Sequence, residues 1–431
     1  MWNSFLMNKN GAVVLAALLC LVAAFPLRAQ VSLSETTSGR NVFPLSAKTC
    51  AAIMYDAVSE PSVVGTAVGL LASDIEKVTG RVPSVSGNGS VPESCRYAVI
   101  AGTLGHSSLI DALVRERKID VSSISGDWER YAVRLVEAPL KGVRRALVVV
   151  GSDRRGTAYG LLSLSRAIGV SPWYWWMDAP VEHRNSIYLS VNAYDAATPS
   201  VKYRGIFIND EDWGLLRWAK RNFEKELGNI GPKTYEKVCE LLLRLNANML
   251  APAMHEASTA FYQIPQNKEV ADRYGIIITA SHCEPLLLNT ASEWQKDRYG
   301  DWNYNTNSER IDSVLNARVV ETSPYENAYV IALRGLHDRA MSGGESLDSR
   351  KATVQRALLN QRKILSDVLG KDASEIPQFF TPYKEVLDVY NQGLELPDDV
   401  TIVWPDDNYG YMKRLSGPKE QLRSGRSGVY Y

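Results

Sequence analysis

Carboxylates recur through the second half of the chain, each group following directly on a short apolar run. The runs 203–208, 249–253, 276–280, 328–333, 378–381 and 401–404 lead in turn into six polar segments. These are Asn209-Asp210-Glu211-Asp212-Trp213-Gly214, Met254-His255-Glu256, Ser281-His282-Cys283-Glu284-Pro285, Arg334-Gly335-Leu336-His337-Asp338, Thr381-Pro382-Tyr383-Lys384-Glu385 and Trp404-Pro405-Asp406-Asp407-Asn408-Tyr409-Gly410. Glycosidic cleavage needs one carboxyl that protonates the leaving oxygen and a second that activates water or attacks the sugar. Asp210, Glu211, Asp212, Asp338, Glu385, Asp406 and Asp407 are the acids placed for that work. Any one of them serves as readily as an N-cap, an ion-pair partner or a solvated loop residue. The set as a whole is harder to explain that way, because loops at strand ends carry function by position. Arg334, Lys384 and His282 add groups that bind an acidic substrate, arginine through its two-pronged fork. Each also has neighbouring acids with which to pair. Three of the five histidines, His255, His282 and His337, lie in these segments, which gives minor support. A metal site built from His255, His282 and Glu284 is the weaker reading. Their spacing matches no HExxH pattern, and so many carboxylates need no metal for this chemistry, so no metal or other cofactor is expected.

Helical patterns at 234–245, 310–320, 352–369 and 386–394 separate the apolar runs. Six such β–α repeats predict an α/β fold of the (β/α)8 TIM type, with its site at the C-terminal ends of the strands. Val429-Tyr430-Tyr431 reads as a seventh, interrupted strand. Eight strands are needed to close that barrel, so the expectation is a barrel at 199–431 truncated before closure. Residues 30–198 form a separate α/β domain of conventional size. Its expected strands lie at 51–55, 97–100, 130–136, 146–150 and 187–189, its helices at 63–78, 107–114 and 156–168. Asp74, Glu76 and Lys77 fall on the polar face of the first helix, which stops at Gly80. Gly102 and Gly105 follow a strand, but without a GxGxxG pattern they do not make a dinucleotide site. Trp173-Tyr174-Trp175-Trp176 fits packing between domains better than stacking on sugars.

Lys+Arg and Asp+Glu are equal at 48 each, so no basic field exists to attract nucleic acid or an anionic membrane. An acidic ligand must be recognised by a few placed cations. Ten Trp and 21 Tyr against eight Phe favour aromatics with a polar handle, which suit sugar-facing surfaces and half-wet cores alike. At the N-terminus, Lys9, an apolar stretch at 12–25 and a small residue at Ala29 read as a signal peptide over 1–29. The stretch is too short to span a bilayer, which takes about 20 residues. Export to the periplasm or beyond is expected, with no membrane attachment after cleavage. Cys50, Cys95, Cys239 and Cys283 then remain, with no zinc-type spacing. Cys50 and Cys95 are candidates for a disulfide, and the simpler expectation is four buried small side chains.

Taken in order, five stretches resemble the α-glucuronidases of glycoside hydrolase family 115. They are Tyr203-Arg204-Gly205-Ile206-Phe207-Ile208-Asn209-Asp210-Glu211, Ala280-Ser281-His282-Cys283-Glu284-Pro285, Leu333-Arg334-Gly335-Leu336-His337-Asp338, Tyr383-Lys384-Glu385-Val386 and Trp404-Pro405-Asp406-Asp407-Asn408-Tyr409-Gly410. The N-terminal domain is similar to the one that precedes the barrel in that family and in hexosaminidases. The resemblance implies inverting, metal-independent release of α-1,2-linked glucuronic acid, or its 4-O-methyl ether, from xylan or glucuronoxylan. It makes Asp338 and Glu385 the leading acid/base pair, with acid and base unassigned between them, and Glu211 or Asp212 the third acid. Arg334, His282, Tyr383 and Asn408 then hold the sugar, and Lys384 and Asp210 stand with them. Family members continue into further domains that help form a homodimer and complete the pocket, so a chain of this length is expected to be a portion of such an enzyme. Two alternatives stand beside it. A hexosaminidase-like glycosidase would use adjacent acids such as Asp210-Glu211. A non-catalytic glycan binder would use the aromatics but would have no need of crowded carboxylates.

Overall fold

The computed structural model describes residues 31–93, 95–209, 211–342, 346–407 and 409–431. The expected signal peptide at 1–29 and the candidate residues Asp210 and Asn408 lie outside the described residues. Among the described residues no helix is long and apolar enough to cross a membrane.

Strand alternation builds the N-terminal half. Its main sheet runs in the order Val85–Ser86, Ala52–Met54, Tyr97–Thr103, Arg145–Gly151, Tyr131–Glu137, Tyr194–Asp195. The first four strands are parallel, and Tyr131–Glu137 is antiparallel to both of its neighbours. Within Tyr97–Thr103, Val99 and Ala101 join the core that contains residues of helices Ser62–Thr79 and Arg154–Ala167. Ala98 and Ile100 point the other way, into a core with Leu109, Ile110 and Leu113 of helix Ser108–Arg115. A strand of period two covered on both faces reads as a continuous apolar run, as this one does. A small antiparallel sheet of Val31–Leu33, Ile187–Val191 and Val42–Ser46 flanks it. All four remaining cysteines are free, with Cys239 and Cys283 buried and Cys50 and Cys95 half-buried. The disulfide option is therefore not taken up, and full burial holds for two of the four.

The second half is an array of parallel strands: β1 (Gly205–Phe207), β2 (Met249–Ala251), β3 (Ile277–Ile278), β4 (Tyr329–Val330), β5 (Gln378–Phe380), β6 (Thr401–Pro405) and β7 (Ser427–Tyr430). A parallel bridge from Ile278 to Asn327 joins the three-stranded piece β1–β3 to the four-stranded piece β4–β7. Between the strands lie α1 (Pro232–Arg244), α2 (Pro265–Arg273), α3 (Tyr304–Thr322), α4 (Leu347–Leu369) and α5 (Glu385–Asn391). The array is curved. Ile277, Ala328, Val330, Ala332 and Phe379 form one buried cluster, with Tyr203, Met249 and Val403 against it. The Tyr203 and Phe379 rings meet at 5.3 Å across that interior, and Phe207 of β1 lies 5.5 Å from Tyr430 of β7.

The helix Ser62–Thr79 corrects one expectation. Asp74 does not lie on a solvated face; it is fully buried, and its two oxygens accept from Arg244 of α1 at 2.7 and 3.1 Å. Arg244 also donates to Glu240 at 2.9 Å, and Tyr174 reaches Glu240 from the aromatic stretch at 2.9 Å. Helical period distinguishes polar from apolar positions but does not reveal that a charged partner arrives from another element. A second buried link sits at Glu129, which accepts from Arg155 and Asn248 at 2.8 Å each and pairs with Arg204. The aromatic stretch packs along the same seam. Trp175 and Trp176 lie edge-on to Trp218 or tilted against it, and Trp176 donates to the Lys237 carbonyl at 3.1 Å.

Gly231 stands at the N-cap of helix α1 and has no side chain to cap it. Buried Glu224 reaches in instead and accepts from the amides of Gly231, Lys233 and Thr234 at 2.8, 3.1 and 3.0 Å, and from the Thr234 hydroxyl. The first-turn donors of the helix are thus satisfied from outside its own sequence. Glu224→Ala is expected to destabilise the protein by about 2 kcal/mol, the upper end for loss of a cap. A denaturant midpoint equal to wild type would remove that role.

Candidate active site

The strand ends bring six of the expected residues into one cluster. Arg334 follows β4 and is buried, its side chain 1% exposed. Its guanidinium forks onto Glu385, the first residue of α5, with Nε to Oε1 at 3.2 Å and Nη2 to Oε2 at 2.9 Å. Its remaining edge, Nη1, pairs with Asp338. Asp338 further accepts from Lys384 Nζ at 3.0 Å and meets His282 Nε2 at 2.6 Å. Tyr383 stacks edge-on to the His282 ring at 4.5 Å and lies under both Arg334 and Lys384. One guanidinium therefore stands between two carboxylates, with a second cation and an imidazole on Asp338.

Burial raises the proton affinity of Glu385, but the hydrogen bonds and charge of Arg334 outweigh it and hold this carboxyl below its ordinary value. The Met341 amide donates to Glu385 as well, at 3.2 Å, and the residue sits at a helix N-terminus, where a negative charge is favoured. Burial, then the charges of Arg334 and Lys384, push His282 down to about 3. Its imidazole is therefore neutral near pH 7, and its Nε2 faces both Asp338 at 2.6 Å and Arg334 Nη1 at 3.4 Å, with the direction of the contact to Asp338 set by the tautomer.

The loops that carry these groups are strained. His337 and Asp338 are consecutive left-handed residues, at φ 54° and 61°, and Lys384 has φ 50° with ψ −125°. A side chain beyond Cα disfavours such geometry by about 1–3 kcal/mol per residue, and it gathers where function over-determines the backbone. Gly335 allows the first of these turns to close. A Cβ there would stand 2.4 Å from the Ala340 carbonyl oxygen.

Glu211 and Asp212 form a separate group. Glu211 is buried and accepts the His255 amide at 2.7 Å, and Asp212 meets His255 Nδ1 at 3.0 Å. Among the described residues, neither is hydrogen-bonded or ion-paired to Arg334, Asp338, Lys384 or Glu385. The structure also singles out Glu284, which the sequence offers only as a metal ligand. Burial pushes its carboxyl up to about 7, and its Oε2 accepts the Ser281 amide at 3.0 Å, bracing the turn that presents His282. A proton affinity suited to an acid is no sufficient reason to name it one, because the cavity that Glu284 lines holds only about 20 Å³. Its signal in the sequence was its place in the His282 segment. The grouping of His255, His282 and Glu284, the weaker reading of the sequence, is not assembled among the described residues: His255 pairs with Asp212, His282 with Asp338. His282, Cys283 and Asp338 do bring ligand-type atoms within 4.8 Å. There, however, Asp338 is shared with Arg334 and Lys384, and burial pushes the thiol up to about 12, so ion pairing accounts for the grouping.

A cavity of about 460 Å³ opens beside the cluster. Tyr383 and Lys384 belong to both, and Trp404, Asp406, Tyr409 and Lys413 line the far side. Its size falls within the range of small-molecule sites. Two cations, two carboxylates and aromatic walls at strand ends can hold an anionic, ring-shaped ligand and move protons at its edge.

Comparison with known proteins bears on family and fold. The model of glycosyl hydrolase family 115 matches residues 196–431. A solved family 115 4-O-methyl-α-glucuronidase, with specificity for decorated arabinogalactans, is 40% identical, with a TM-score of 0.81 over 90% of this chain and 49% of its own. The chain thus spans about half the length of that relative. A chitobiase from Flavobacterium johnsoniae (12% identity, TM-score 0.51, 90% of this chain and 55% of the other) shares the fold alone. So does a Streptomyces plicatus β-hexosaminidase (11%, 0.52, 93% and 72%). No curated protein sequence matched. The family match over more than half the chain, and the 40% identical relative, establish that this α/β protein belongs to glycoside hydrolase family 115.

Proposed function

We propose that the chain carries the catalytic groups of an α-glucuronidase that hydrolyses terminal glucuronic acid, or its 4-O-methyl ether, from a plant polysaccharide. The observation that carries this reading is Arg334 held between Glu385 and Asp338, with Lys384 on the second carboxylate. In this reading the curved array β1–β7 belongs to a (β/α)8 barrel of the TIM type, and the cluster occupies the C-terminal ends of its strands. Glu385, kept ionised by Arg334, takes a proton from water as that water attacks the anomeric carbon. Asp338 gives a proton to the glycosidic oxygen as its bond to that carbon breaks, so the configuration inverts. A uronate carboxylate that drew Lys384 toward itself would place a like charge near Asp338, which favours a proton there. Lys384 is suited to that exchange because its side chain is 48% exposed, whereas Arg334 is enclosed. Tyr383 and His282 shape the pocket, and Asn408 and Asp210 are assigned to substrate by their motifs. Glu211 and Asp212, set apart with His255, serve as supports of the neighbouring loop or as a third acid. The protein is exported, and at the relative's length it forms a homodimer.

The polymer is either glucuronoxylan, as the motifs imply, or arabinogalactan, as the 40% identical relative suggests. Both should be incubated with this chain and with the protein extended to the relative's length, and the released sugars identified. Uronic acid from at least one polymer is expected. N-acetylhexosamine release from chitooligosaccharides, or no uronic acid from the folded longer protein, would overturn the reading.

A further inference from the structure

Strand β4 leaves its sheet just before the arginine. Ile331 still donates to the Phe379 carbonyl at 2.9 Å. At Ala332 the partner is a side chain: its amide donates to Gln361 Oε1 at 2.9 Å, and Gln361 Nε2 donates back to its carbonyl at 2.7 Å. One buried carboxamide on α4 thus satisfies both polar groups of one peptide residue, as a neighbouring strand would. Two residues on, the Arg334 carbonyl accepts the Trp302 indole N–H at 2.7 Å. Gln361 is 1% and Trp302 7% exposed, so neither bond is made for the sake of solvent.

We propose that Gln361, with Trp302, is a positioning residue: together they fix the backbone on both sides of Leu333 and so set where the Arg334 guanidinium stands between Glu385 and Asp338. Arg334 meets Glu385 at 3.2 and 2.9 Å only from a narrow range of backbone positions, and such sites tolerate about half an ångström of play. The sheet does not supply that precision, because its ladder bond to β5 stops at Ile331. The inference rests on the reading of this cluster as the hydrolytic centre.

The test uses the folded chain, and the extended protein where turnover is read. Carboxyl-labelled glutamate gives a carbon resonance for Glu385, identified by its loss in Glu385→Gln. Gln361→Met keeps the volume and removes both bonds; Trp302→Phe keeps the ring and removes one. In each, the Glu385 titration midpoint is expected to rise toward the ordinary glutamate value. Turnover by Gln361→Met should fall about a hundredfold with little change in KM, the scale of an ångström misplacement. A wild-type Glu385 midpoint in both variants, with only thermal stability reduced, overturns the proposal whether or not a uronate is hydrolysed. Shifted midpoints without hydrolysis by wild type would instead overturn the hydrolytic reading. Should Gln361→Met fail to fold, the Trp302→Phe midpoint decides.

Discussion

Glu385→Gln is expected to lower turnover on a uronic acid glycoside by about 10²–10⁴-fold, the range attributable to one acid–base group. The amide preserves the volume of the side chain but cannot take a proton from water. Because Glu385 stands on Arg334, the substitution also leaves a buried guanidinium facing an uncharged group, so part of the loss reflects altered binding of the anionic sugar. The pH profile separates the two contributions. With its carboxyl held below the ordinary 4.5 by Arg334, wild-type kcat/KM should lose activity on the acid side only below that value. Arg334→Met removes the largest influence opposing burial and leaves only backbone amides against it, so the acid limb should move upward. Asp338→Asn should be similarly severe, whereas Glu211→Gln, outside the Arg334 cluster, should mainly affect stability. Turnover by Glu385→Gln within tenfold of wild type, or an acid limb unmoved by Arg334→Met, would remove Glu385 as the base.

The parts of this site that were legible in the sequence are those that repeat. Each apolar run at 203–208, 249–253, 276–280, 328–333, 378–381 and 401–404 coincides with an observed strand, because a buried parallel strand leaves a continuous apolar signature. The seventh strand, expected at Val429-Tyr430-Tyr431, is present as β7 and pairs with β6. Strand order places the positions after each run at one end of the array, Glu211 and Asp212 as much as Arg334, His282 and Lys384, and it was the family resemblance that set Asp338, Glu385 and Tyr383 beside Arg334 and His282. The sequence could not report which acids meet which cations. Glu211 and Asp212 follow a strand as Glu385 does, yet the turn after β1 directs them to His255. Nor was the burial of Glu284 legible, since its segment is as polar in composition as its neighbours. Gln361 and Trp302 had no signal at all. A glutamine within a helical pattern reads as surface, and only the folded chain brings it to Ala332. Asp74 failed for the same reason, hidden by a partner 170 residues away.

That partner sets the largest stability effect. Arg244→Ala is expected to destabilise the protein by about 3–5 kcal/mol, because it strands two buried carboxylates with no comparable cation. Asp74 has no exposure and the Glu240 side chain only 4%, and Lys77 and Lys237, their other partners, are partly solvated. An exposed pair such as Lys363 and Asp367 on α4, 71% and 57% exposed, makes a control, since Lys363→Ala should leave the denaturation midpoint unchanged. The pH dependence follows from Glu240. Burial opposes its ionisation, but Arg244 and Lys237 prevail and hold its carboxyl below the ordinary 4.5. A depressed folded-state value means stabilisation that is present above 4.5 and lost as pH falls through the folded value. The gap between wild type and Arg244→Ala should therefore be full near neutrality and shrink in acid, as the stranded carboxylates become neutral. Replacing the triad as Asp74→Leu, Arg244→Met and Glu240→Leu should recover much of the loss, since apolar groups of similar volume often equal a buried ion network. If Arg244→Ala shifted stability no more than Lys363→Ala, or if the gap widened in acid, the link between the two halves would rest on the Glu129 pairs and the apolar seam of Trp175, Trp176 and Trp218 instead.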